Sequence, residues 1–508
     1  MPTLEWIGKD KVVNHHQEVP FRILDKKYTF NAESSENMII HGDNLLALKS
    51  LLPQYEGLID CIYIDPPYNT GNEKWVYNDN VNDPRIKKWL GEVVGAEGED
   101  LSRHDKWLCM MYPRLKLLHK LLSEKGVIFI SIDDNEFATL KLICDEIFGL
   151  HNFVTSFHWR RTESQNNGAK LVSVVGEFIL CYMKNKTKDS VFNKMELLDT
   201  ALSEYRYEDE NGKFRRGTIV DNTRGKNVIE VTSPDGQTKT INSIRTKEFI
   251  DEAEAKGLVY WTKSGTPYLK IYLDKSEGQV SNNWLDDVGV NEDAADIMRM
   301  MELGFNFSKP YTLVERLIKL CCTKDSIILD SFAGSGTTAQ AVLNLNNNDS
   351  GKRKFILVEM LDYAEETTAE RLRNVILGYG AGKNKVEGIS GDFSFYELGQ
   401  PLFKDDKNLN EEVPEEEIRK YVYYMETKKP LETETTDNPY LLGKNNDTAY
   451  YFYYKKDEIT TLNHEFLSTI NTKATEYIIY ADKCVLSEEI MEKFNIVFKK
   501  IPRDITRL

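Results

Sequence analysis

An acid, two prolines and a tyrosine follow directly on an apolar run in the segment Ile62–Tyr68. The Asp65 carboxylate and the Pro66 carbonyl can each accept one hydrogen from an amino group, which would draw a planar nitrogen toward tetrahedral geometry. The prolines restrict the loop and keep both acceptors aimed. Tyr68 is expected to present an exposed ring on which a flipped base can stack, a contact worth about 1–3 kcal/mol. The loop therefore predicts group transfer to an exocyclic amine, with neither a nucleophile nor a metal.

A second candidate site is the segment Ile327–Thr338, where an apolar strand is followed by an acid and a glycine-containing turn. Glycines let the backbone turn tightly and approach a ligand closely. No lysine follows Gly336, as it would in a P-loop, and the third glycine of the dinucleotide fingerprint is absent. A ligand without a pyrophosphate fits better, and S-adenosylmethionine (SAM) is one. Glu359, which ends the next predicted strand, is placed to accept hydrogen bonds from ribose hydroxyls.

Two further polar residues precede predicted helices. Lys309, or the backbone beside it, could hold the carboxylate of a cofactor, and a solvated lysine at a helix start explains the pattern equally well. Asp43 precedes the apolar helical pattern Leu45–Leu52 and is by default an N-terminal cap, while Pro53 is expected to end that helix.

The composition is typical of a globular protein. The chain has 508 residues, of which 41% are hydrophobic and 29% are charged, so three or four domains are expected. It contains no apolar run long enough to cross a bilayer, and the first ten residues lack the core of a secretory signal. Seven cysteines without a C-x-x-C pair favour a reducing cytoplasm over a disulfide framework. Without an H-E-x-x-H motif, no metal is predicted.

The net charge of −16 taken alone counts against binding to nucleic acid. Much of the acid is concentrated between Glu411 and Asp437, whereas Arg160–Lys188 is locally basic. Because a ligand responds to the local surface potential, we expect a basic cleft on an otherwise acidic protein.

The order of predicted elements indicates how these residues are positioned. Strands that are apolar on both faces alternate with helices in 38–150 and again in 307–400, which predicts an α/β fold with a parallel, doubly wound sheet. Between them, the residue pattern of 151–306 indicates a separate β-rich or mixed domain. The segment 69–105 is expected to be a long functional loop, and Lys404–Asn438 an acidic linker that contains a helix.

On these motifs the chain resembles the β-class DNA amino-methyltransferases, in which the catalytic loop precedes the target-recognition domain and the SAM loop follows it. Within that class it is similar to the Mod subunits of type III restriction-modification systems. Gly176 is a departure, because many relatives have His there, and the role of that His is not carried over. The stretches that carry the resemblance are Ile40–Leu45, Asp65–Gly71, Ser331–Thr338, Tyr480–Asp482 and Ile501–Ile505.

The resemblance implies methyl transfer from SAM to N6 of adenine in duplex DNA, since aspartate at position 65 favours adenine over cytosine. It also implies a homodimer that can join an ATP-dependent Res nuclease. The chain has no P-loop, so ATP hydrolysis would belong to that partner. Three alternatives stay open: methylation of cytosine N4, methylation of RNA or of a protein amide, and a protein that chiefly guides a nuclease to its site.

The resemblance divides the chain into four parts. They are a catalytic half of the methyltransferase domain (1–150), a target-recognition domain (151–306), a SAM-binding half (307–400) and a C-terminal interaction or dimer-supporting domain (401–508). The predicted catalytic residues are Asp65, Pro66 and Tyr68. The predicted cofactor-binding residues are Asp43, Lys309, Asp330, Phe332, Gly334, Gly336, Thr337 and Glu359. The candidates for DNA contact are Pro67, Asn69, Arg160, Arg161 and Lys170.

Overall fold

The computed structural model describes residues 3–70, 103–166, 168–432 and 438–503. Most of the predicted loop 69–105 lies outside these ranges, as do the last two residues of the motif Ile501–Ile505. The chain forms two compact units, one comprising Met1–Val191 with Asn283–Leu508 and the other Phe192–Asn282. Within the described ranges, no helix is both long and apolar enough to cross a membrane.

A ten-stranded sheet forms the centre of the larger unit. Its strands in chain order are β1 (Arg22–Phe30), β2 (Met38–His41), β3 (Ile59–Ile64), β4 (Leu122–Ile132), β5 (Phe153–Arg160), β6 (Gly176–Met183), β7 (Trp284–Leu285), β8 (Ile327–Asp330), β9 (Lys354–Glu359) and β10 (Phe393–Pro401). In the sheet they follow the order β1-β10-β2-β9-β8-β3-β4-β6-β5-β7. The six strands from β10 to β4 are parallel, as expected for the α/β fold.

The sheet is mixed rather than fully parallel. β6 runs antiparallel to both β4 and β5, and β1 runs antiparallel to β10. Since a strand buried on both faces has the same apolar pattern in either direction, the sequence pattern does not reveal strand direction. The second compact unit, Phe192–Asn282, contains fewer residues than the segment 151–306. The reason is that β5 and β6, which lie within that segment, belong to the large sheet.

Helices cover the sheet of the larger unit. The main ones are α1 (Asn44–Tyr55), α2 (Arg103–Leu121), α3 (Phe137–Cys144), α4 (Asn291–Met300), α5 (Tyr311–Cys321), α6 (Thr337–Asp349) and α7 (Glu370–Leu377). Ile62 and Ile64 of β3 share a core with α1 and α2, while Cys61 and Tyr63 are also buried. Because successive residues of a strand point to opposite faces, both faces of β3 are covered, as in a doubly wound fold.

Asp43 caps α1, as the sequence predicted. Its carboxylate accepts hydrogen bonds from the backbone N–H groups of Leu45 and Leu46 at 2.8 and 3.2 Å. The expectation that Pro53 ends this helix was wrong, because the helix continues to Tyr55. A proline so close to the end of a helix removes a backbone donor but leaves few helical carbonyls without a partner.

The unit Phe192–Asn282 is built mainly from short strands. A four-stranded sheet comprises Tyr207–Asp209, Gly212–Gly217, Val259–Trp261 and Pro267–Tyr272, and a hairpin comprises Asn227–Thr232 and Thr238–Ser243. Its helices are Asp199–Leu202 and Lys247–Ala255. A small core contains Ile219, Val231, Ile241 and Ile250. A turn that includes Pro234–Gly236 joins the two hairpin strands, with Gly236 in the left-handed region at φ 84°.

The C-terminal part of the larger unit begins with α8 (Glu415–Thr427). A four-stranded sheet follows, made of Leu441–Asn445, Thr448–Phe452, Glu476–Ala481 and Ile496–Lys500. The buried Arg503 guanidinium donates to both Asp482 oxygens at 2.6 and 2.7 Å and to Glu411 at 2.7 Å. This ion pair joins two of the stretches on which the family resemblance rests.

Shorter elements complete the fold. They are the helices Lys9–Val12, His15–Glu18, His464–Ser468 and Glu488–Phe494, the helical turns Asp145–Gly149, Leu150–Asn152, Asp362–Ala364, Glu365–Ala369 and Gly382–Asn384, and the short strands Gly378–Tyr379, Val386–Glu387, Thr461–Leu462 and Lys483–Cys484.

Candidate active site

The two loops singled out in the sequence begin on neighbouring strands. β3 and β8 are parallel, with Ile62 opposite Leu329. Asp65 follows the last residue of β3, and the glycine turn follows Asp330 at the end of β8. Since parallel strands end at the same edge of a sheet, both loops emerge on one side of the fold, where ligands of open α/β sheets bind.

The Asp65 carboxylate is held by a lysine that is distant in sequence. Lys309 Nζ lies 2.8 Å from Asp65 Oδ2 and 3.5 Å from Glu177 Oε2. Burial raises the pKa of Asp65 above its ordinary value, although the Lys309 ammonium opposes that shift. Lys309, considered from the sequence as a ligand for a cofactor carboxylate, therefore contacts the carboxylate of the candidate catalytic loop.

The expectation that Tyr68 presents an exposed ring was wrong. The residue is only 7% exposed. Its hydroxyl donates to Glu177 Oε2 at 3.1 Å, and the Lys309 ammonium lies 4.9 Å from the centre of its ring. Side chains from two segments distant in sequence, Glu177 and Lys309, converge on this residue and help to cover it.

A cavity of about 300 Å³ opens beside Asp65. Glu177 lies on its wall and is buried, with Arg161 Nη1 3.1 Å from Glu177 Oε1. Sequence reasoning missed Glu177, although a charged residue at the start of the apolar strand β6 was a signal. The cavity is lined by Asp65, Pro66, Tyr68, Thr70, Asp133, Arg161, Glu177, Asn291, Phe307 and Lys309.

The glycine turn requires left-handed backbone at two positions, with φ 52° at Gly334 and 84° at Gly336. A Cβ atom on Gly336 would lie 3.1 Å from the Thr368 carbonyl oxygen. Both the backbone conformation and this close packing favour glycine. The glycine turn thus places the start of α6 close to the helical turn Glu365–Ala369, which precedes α7.

Two buried carboxylates hold the glycine turn in place. Asp330 accepts hydrogen bonds from Phe332 N at 3.0 Å and from Thr338 Oγ1 at 2.5 Å. Glu359 accepts from Gly334 N at 2.8 Å and from Leu361 N at 2.9 Å. Burial raises the pKa of each carboxyl group to about 7.

This pKa shift predicts a pH dependence of stability. A carboxyl group with a raised folded-state pKa stabilises the fold fully below its unfolded pKa of about 4, and that contribution is lost as pH rises through about 7. The unfolding free energy of the wild-type protein should therefore fall between pH 5 and pH 7.5. In Asp330→Asn that fall should be about 2 kcal/mol smaller. Urea denaturation of the ligand-free protein measures it.

The exposed Asp325, just before β8, provides the matched control. Asp325→Asn should leave the difference in unfolding free energy between the two pH values unchanged. If Asp330→Asn behaves like this control, Asp330 does not titrate with a raised pKa.

A buried arginine links the glycine turn to the segment that carries Lys309. Arg371 Nη1 donates to the hydroxyls of Ser308, Ser335 and Thr337 at 2.9, 2.6 and 2.8 Å. Thr337 Oγ1 donates in turn to the Lys309 carbonyl at 3.2 Å. Burial lowers the pKa of Arg371 to about 10. In the sequence, Arg371 is indistinguishable from a solvated arginine on a helix.

A second, narrower cleft of about 50 Å³ lies beside the first. Phe332, Glu359 and Met360 line it, together with Pro67 of the Asp65 loop. Its other lining residues are Asn44, Met110, Arg114, Ser331, Val358, Leu361 and Tyr363. Because Pro66 lines the large cavity and Pro67 the cleft, consecutive residues of one loop separate the two spaces.

The candidates for DNA contact have different environments. Pro67 accepts a hydrogen bond from Trp107 Nε1 at 2.6 Å through its carbonyl. Asn69 is buried and donates to Glu136. Arg160 and Lys170 are exposed, whereas Arg161 is paired with Glu177.

A family model described as DNA methylase, covering N6 and N4 methyltransferases, matches residues 59–370. This match spans more than half of the chain. The chain belongs to the N6/N4 DNA methylase family. The matched region of this family member includes both loops and the inserted unit Phe192–Asn282.

Three relatives of this family member are informative. The StyLTI type III Mod subunit of Salmonella typhimurium is 35% identical, over 76% of this chain and 61% of the relative. The EcoPI type III Mod subunit of Escherichia phage P1 is 31% identical, over 72% and 64%. The type II methyltransferase M.KpnI of Klebsiella pneumoniae is 32% identical, over 73% and 89%. The chain thus spans less than two thirds of these two Mod relatives and most of M.KpnI.

Proposed function

We propose that this protein transfers a methyl group from SAM to N6 of adenine in duplex DNA. The observation that carries the proposal is the convergence of the two loops: Asp65 and the glycine turn follow adjacent parallel strands, and Lys309 contacts both. Membership of the N6/N4 DNA methylase family supports the same reaction class.

Asp65, Pro66 and Tyr68 would act on the target base. The Asp65 carboxylate and the Pro66 carbonyl accept the two amino hydrogens, which keeps the nitrogen lone pair available for transfer. Tyr68 lines the 300 Å³ cavity, and its ring, although only 7% exposed in the ligand-free protein, would contact the extruded base from the cavity wall. Lys309 Nζ contacts Asp65 Oδ2, so an amine can bind at the other carboxylate oxygen, and Glu177 Oε2, 3.5 Å from Nζ, is a second acceptor for the ammonium.

The residues around the narrow cleft fit the chemistry of SAM. When bound, SAM supplies an electrophilic methyl group on a sulfonium. The Phe332 ring and the apolar Val358, Met360 and Leu361 suit a flat purine, and the buried Glu359 carboxylate suits ribose hydroxyls. Lys309, Gly334, Gly336 and Thr337 would position the rest of the molecule, while Asp330 holds the turn and Asp43 the start of α1.

The main experiment incubates the purified protein with methyl-labelled SAM and duplex DNA, followed by nucleoside analysis. Label in N6-methyladenine supports the proposal. Label in N4-methylcytosine, in RNA or in protein would favour one of the alternatives, because the Asp65 loop can serve any planar amino group. Aspartate at position 65 and the resemblance to type III Mod subunits favour adenine.

A prediction for Tyr68 tests base extrusion. Tyr68→Ala should lower kcat/KM for duplex DNA by about 10- to 100-fold, because base–aromatic stacking is worth about 1–3 kcal/mol. Tyr68→Phe keeps the ring, loses the hydroxyl contacts to Glu177 and Asp65, and serves as the matched control for the ring itself. Initial rates at low DNA concentration measure both variants. An alanine variant within twofold of wild type would exclude a stacking role.

DNA recognition is proposed for the segment 151–306, and chiefly for its compact unit Phe192–Asn282. Within that unit, the Arg216 guanidinium lies 4.8 Å from the Tyr207 ring and 4.7 Å from the Tyr268 ring. Arginines held on aromatic faces suit contacts with phosphates and bases. Arg160, Arg161 and Lys170 remain further candidates for DNA contact. The segments 1–150 and 307–400 would form the catalytic and SAM-binding halves.

The similarity to Mod subunits supports a place in a type III restriction-modification system. We propose a cytoplasmic homodimer that joins an ATP-dependent Res nuclease, with 401–508 as the interaction or dimer-supporting part. Light scattering on the purified protein tests the dimer, and co-purification with a co-expressed Res subunit tests the partner. If the protein is a monomer and methylates DNA without a partner, the homodimer and the Res partner are excluded and only the methyltransferase function remains.

A further inference from the structure

Three cysteines that the proposed reaction does not use lie together in the fold. The Sγ atoms of Cys61, Cys321 and Cys322 are all within 4.8 Å of one another, and we refer to them as the thiol cluster. Cys61 lies in β3, whereas Cys321 and Cys322 lie at the end of α5. No disulfide joins any of the seven cysteines, all of which belong to the described ranges.

The spacing of the thiol cluster suits a soft metal ion. A zinc ion bound tetrahedrally by thiolates at about 2.3 Å holds its sulfur ligands about 3.8 Å apart. Cys321 Sγ and Cys322 Sγ are already 3.7 Å apart, and the other separations are at most 4.8 Å. Small side-chain adjustments would therefore close the site without movement of β3 or α5.

The surroundings of the thiol cluster also suit an ion. Cys61 and Cys322 are buried and Cys321 is half-buried, so the thiol cluster is largely shielded from solvent. A metal ion binds the thiolate form of cysteine, so binding at the thiol cluster would release the thiol protons.

We propose that the thiol cluster binds one thiophilic metal ion of the Zn²⁺ class. Binding of Zn²⁺ would displace the three thiol protons to solvent and form three Zn–S bonds, with a water molecule as the fourth ligand. Such a site is separate from methyl transfer, because Cys61 lies four residues before Asp65, about 13 Å away along an extended strand.

The position of the cluster indicates what the ion would do. β3 ends immediately before Asp65, and α5 begins two residues after Lys309. An ion at Cys61, Cys321 and Cys322 would join these two elements at the end opposite the Asp65–Lys309 pair. It would therefore stabilise the packing on which that pair depends.

The test uses the full-length protein, reduced, stripped of metal with a chelator and exchanged into chelator-free buffer. Titration with Cd²⁺ should produce a saturable ultraviolet thiolate-to-metal charge-transfer band at one Cd²⁺ per chain, and Zn²⁺ should remove it by competition. C321S should weaken Cd²⁺ binding by at least about tenfold through loss of one ligand. C484S, at another half-buried cysteine, should bind as wild type does. Wild-type protein without a saturable band would overturn the proposal, as would equal effects of the two substitutions.

A second measurement needs no substitution. The native protein is alkylated with N-ethylmaleimide in the presence and absence of Zn²⁺, and mass spectrometry follows labelling of each cysteine. Zn²⁺ should slow labelling of Cys321 by at least about tenfold and leave Cys484 unchanged. Equal labelling of Cys321 with and without Zn²⁺ would overturn the site even if a variant failed to fold.

Discussion

Replacing Asp65 with alanine is expected to lower the methyl-transfer rate by at least about 10²- to 10³-fold, because the variant loses a preorganised acceptor at the reacting nitrogen. The SAM dissociation constant should stay within about threefold of wild type, since Glu359 and the glycine turn are untouched. Single-turnover kinetics measure the rate, and isothermal titration measures SAM binding.

The fold should tolerate Asp65→Ala for a specific reason. Lys309 Nζ lies 3.5 Å from Glu177 Oε2, so the ammonium keeps a buried carboxylate when Asp65 is removed. Asp134→Ala, at an exposed aspartate beyond β4, is the control and should retain wild-type rates. If Asp65→Ala instead weakened SAM binding strongly but kept a near-normal rate at saturating SAM, the catalytic assignment of the loop would be wrong.

Replacing Glu359 with glutamine is expected to have the opposite effect to Asp65→Ala, weakening SAM binding more than the methyl-transfer rate. SAM affinity should fall by about 10- to 100-fold, because a hydrogen bond to a charged group contributes about 1.5–3 kcal/mol. The rate at saturating SAM should change much less, since Asp65 remains in place. The change is isosteric, and the amide oxygen can still accept from Gly334 N, while the amide NH2 replaces the oxygen that accepts from Leu361 N.

The pH dependence of SAM binding sharpens this prediction. The pKa of Glu359 in the ligand-free protein is raised to about 7 by burial, so the acceptor carboxylate forms as pH rises through that value. Wild-type SAM affinity should therefore increase from pH 6 to pH 8, and Glu359→Gln should flatten that increase. Glu366→Gln, at an exposed glutamate in the turn before α7, should keep the wild-type profile. A wild-type affinity independent of pH, or an unchanged affinity in Glu359→Gln, would count against the ribose role.

The local sequence was sufficient to locate both loops. Asp65 to Tyr68 and the glycine turn could be recognised because each follows an apolar strand with residue types of unusual backbone freedom: prolines restrict the backbone and glycines widen its range. The alternation of strands and helices was likewise visible in the apolar periodicity, and the α/β fold agrees with it. Near the C-terminus, the residue pattern predicts strands at Tyr450–Tyr454, Tyr477–Ala481 and Ile496–Lys500, and the structure has strands at Thr448–Phe452, Glu476–Ala481 and Ile496–Lys500.

Other features depended on contacts between distant segments. Glu177 and Lys309 are 132 positions apart in the numbering, yet both contact the Asp65 loop. The burial of Tyr68 results from that same convergence. Cys61 meets Cys321 and Cys322 only because β3 packs against α5. Neither the apolar periodicity nor a turn motif of one segment indicates which other segment that segment will pack against.

The sequence by itself determined which residue types follow the two apolar strands and the order of strands and helices along the chain, because residue type and apolar periodicity are local properties. The tertiary structure decided the direction of β5 and β6, the pairing of Asp65 with Lys309 and the enclosure of Tyr68. These features arise from sheet order and register, which are set by the burial of whole faces rather than by the residues of any one segment.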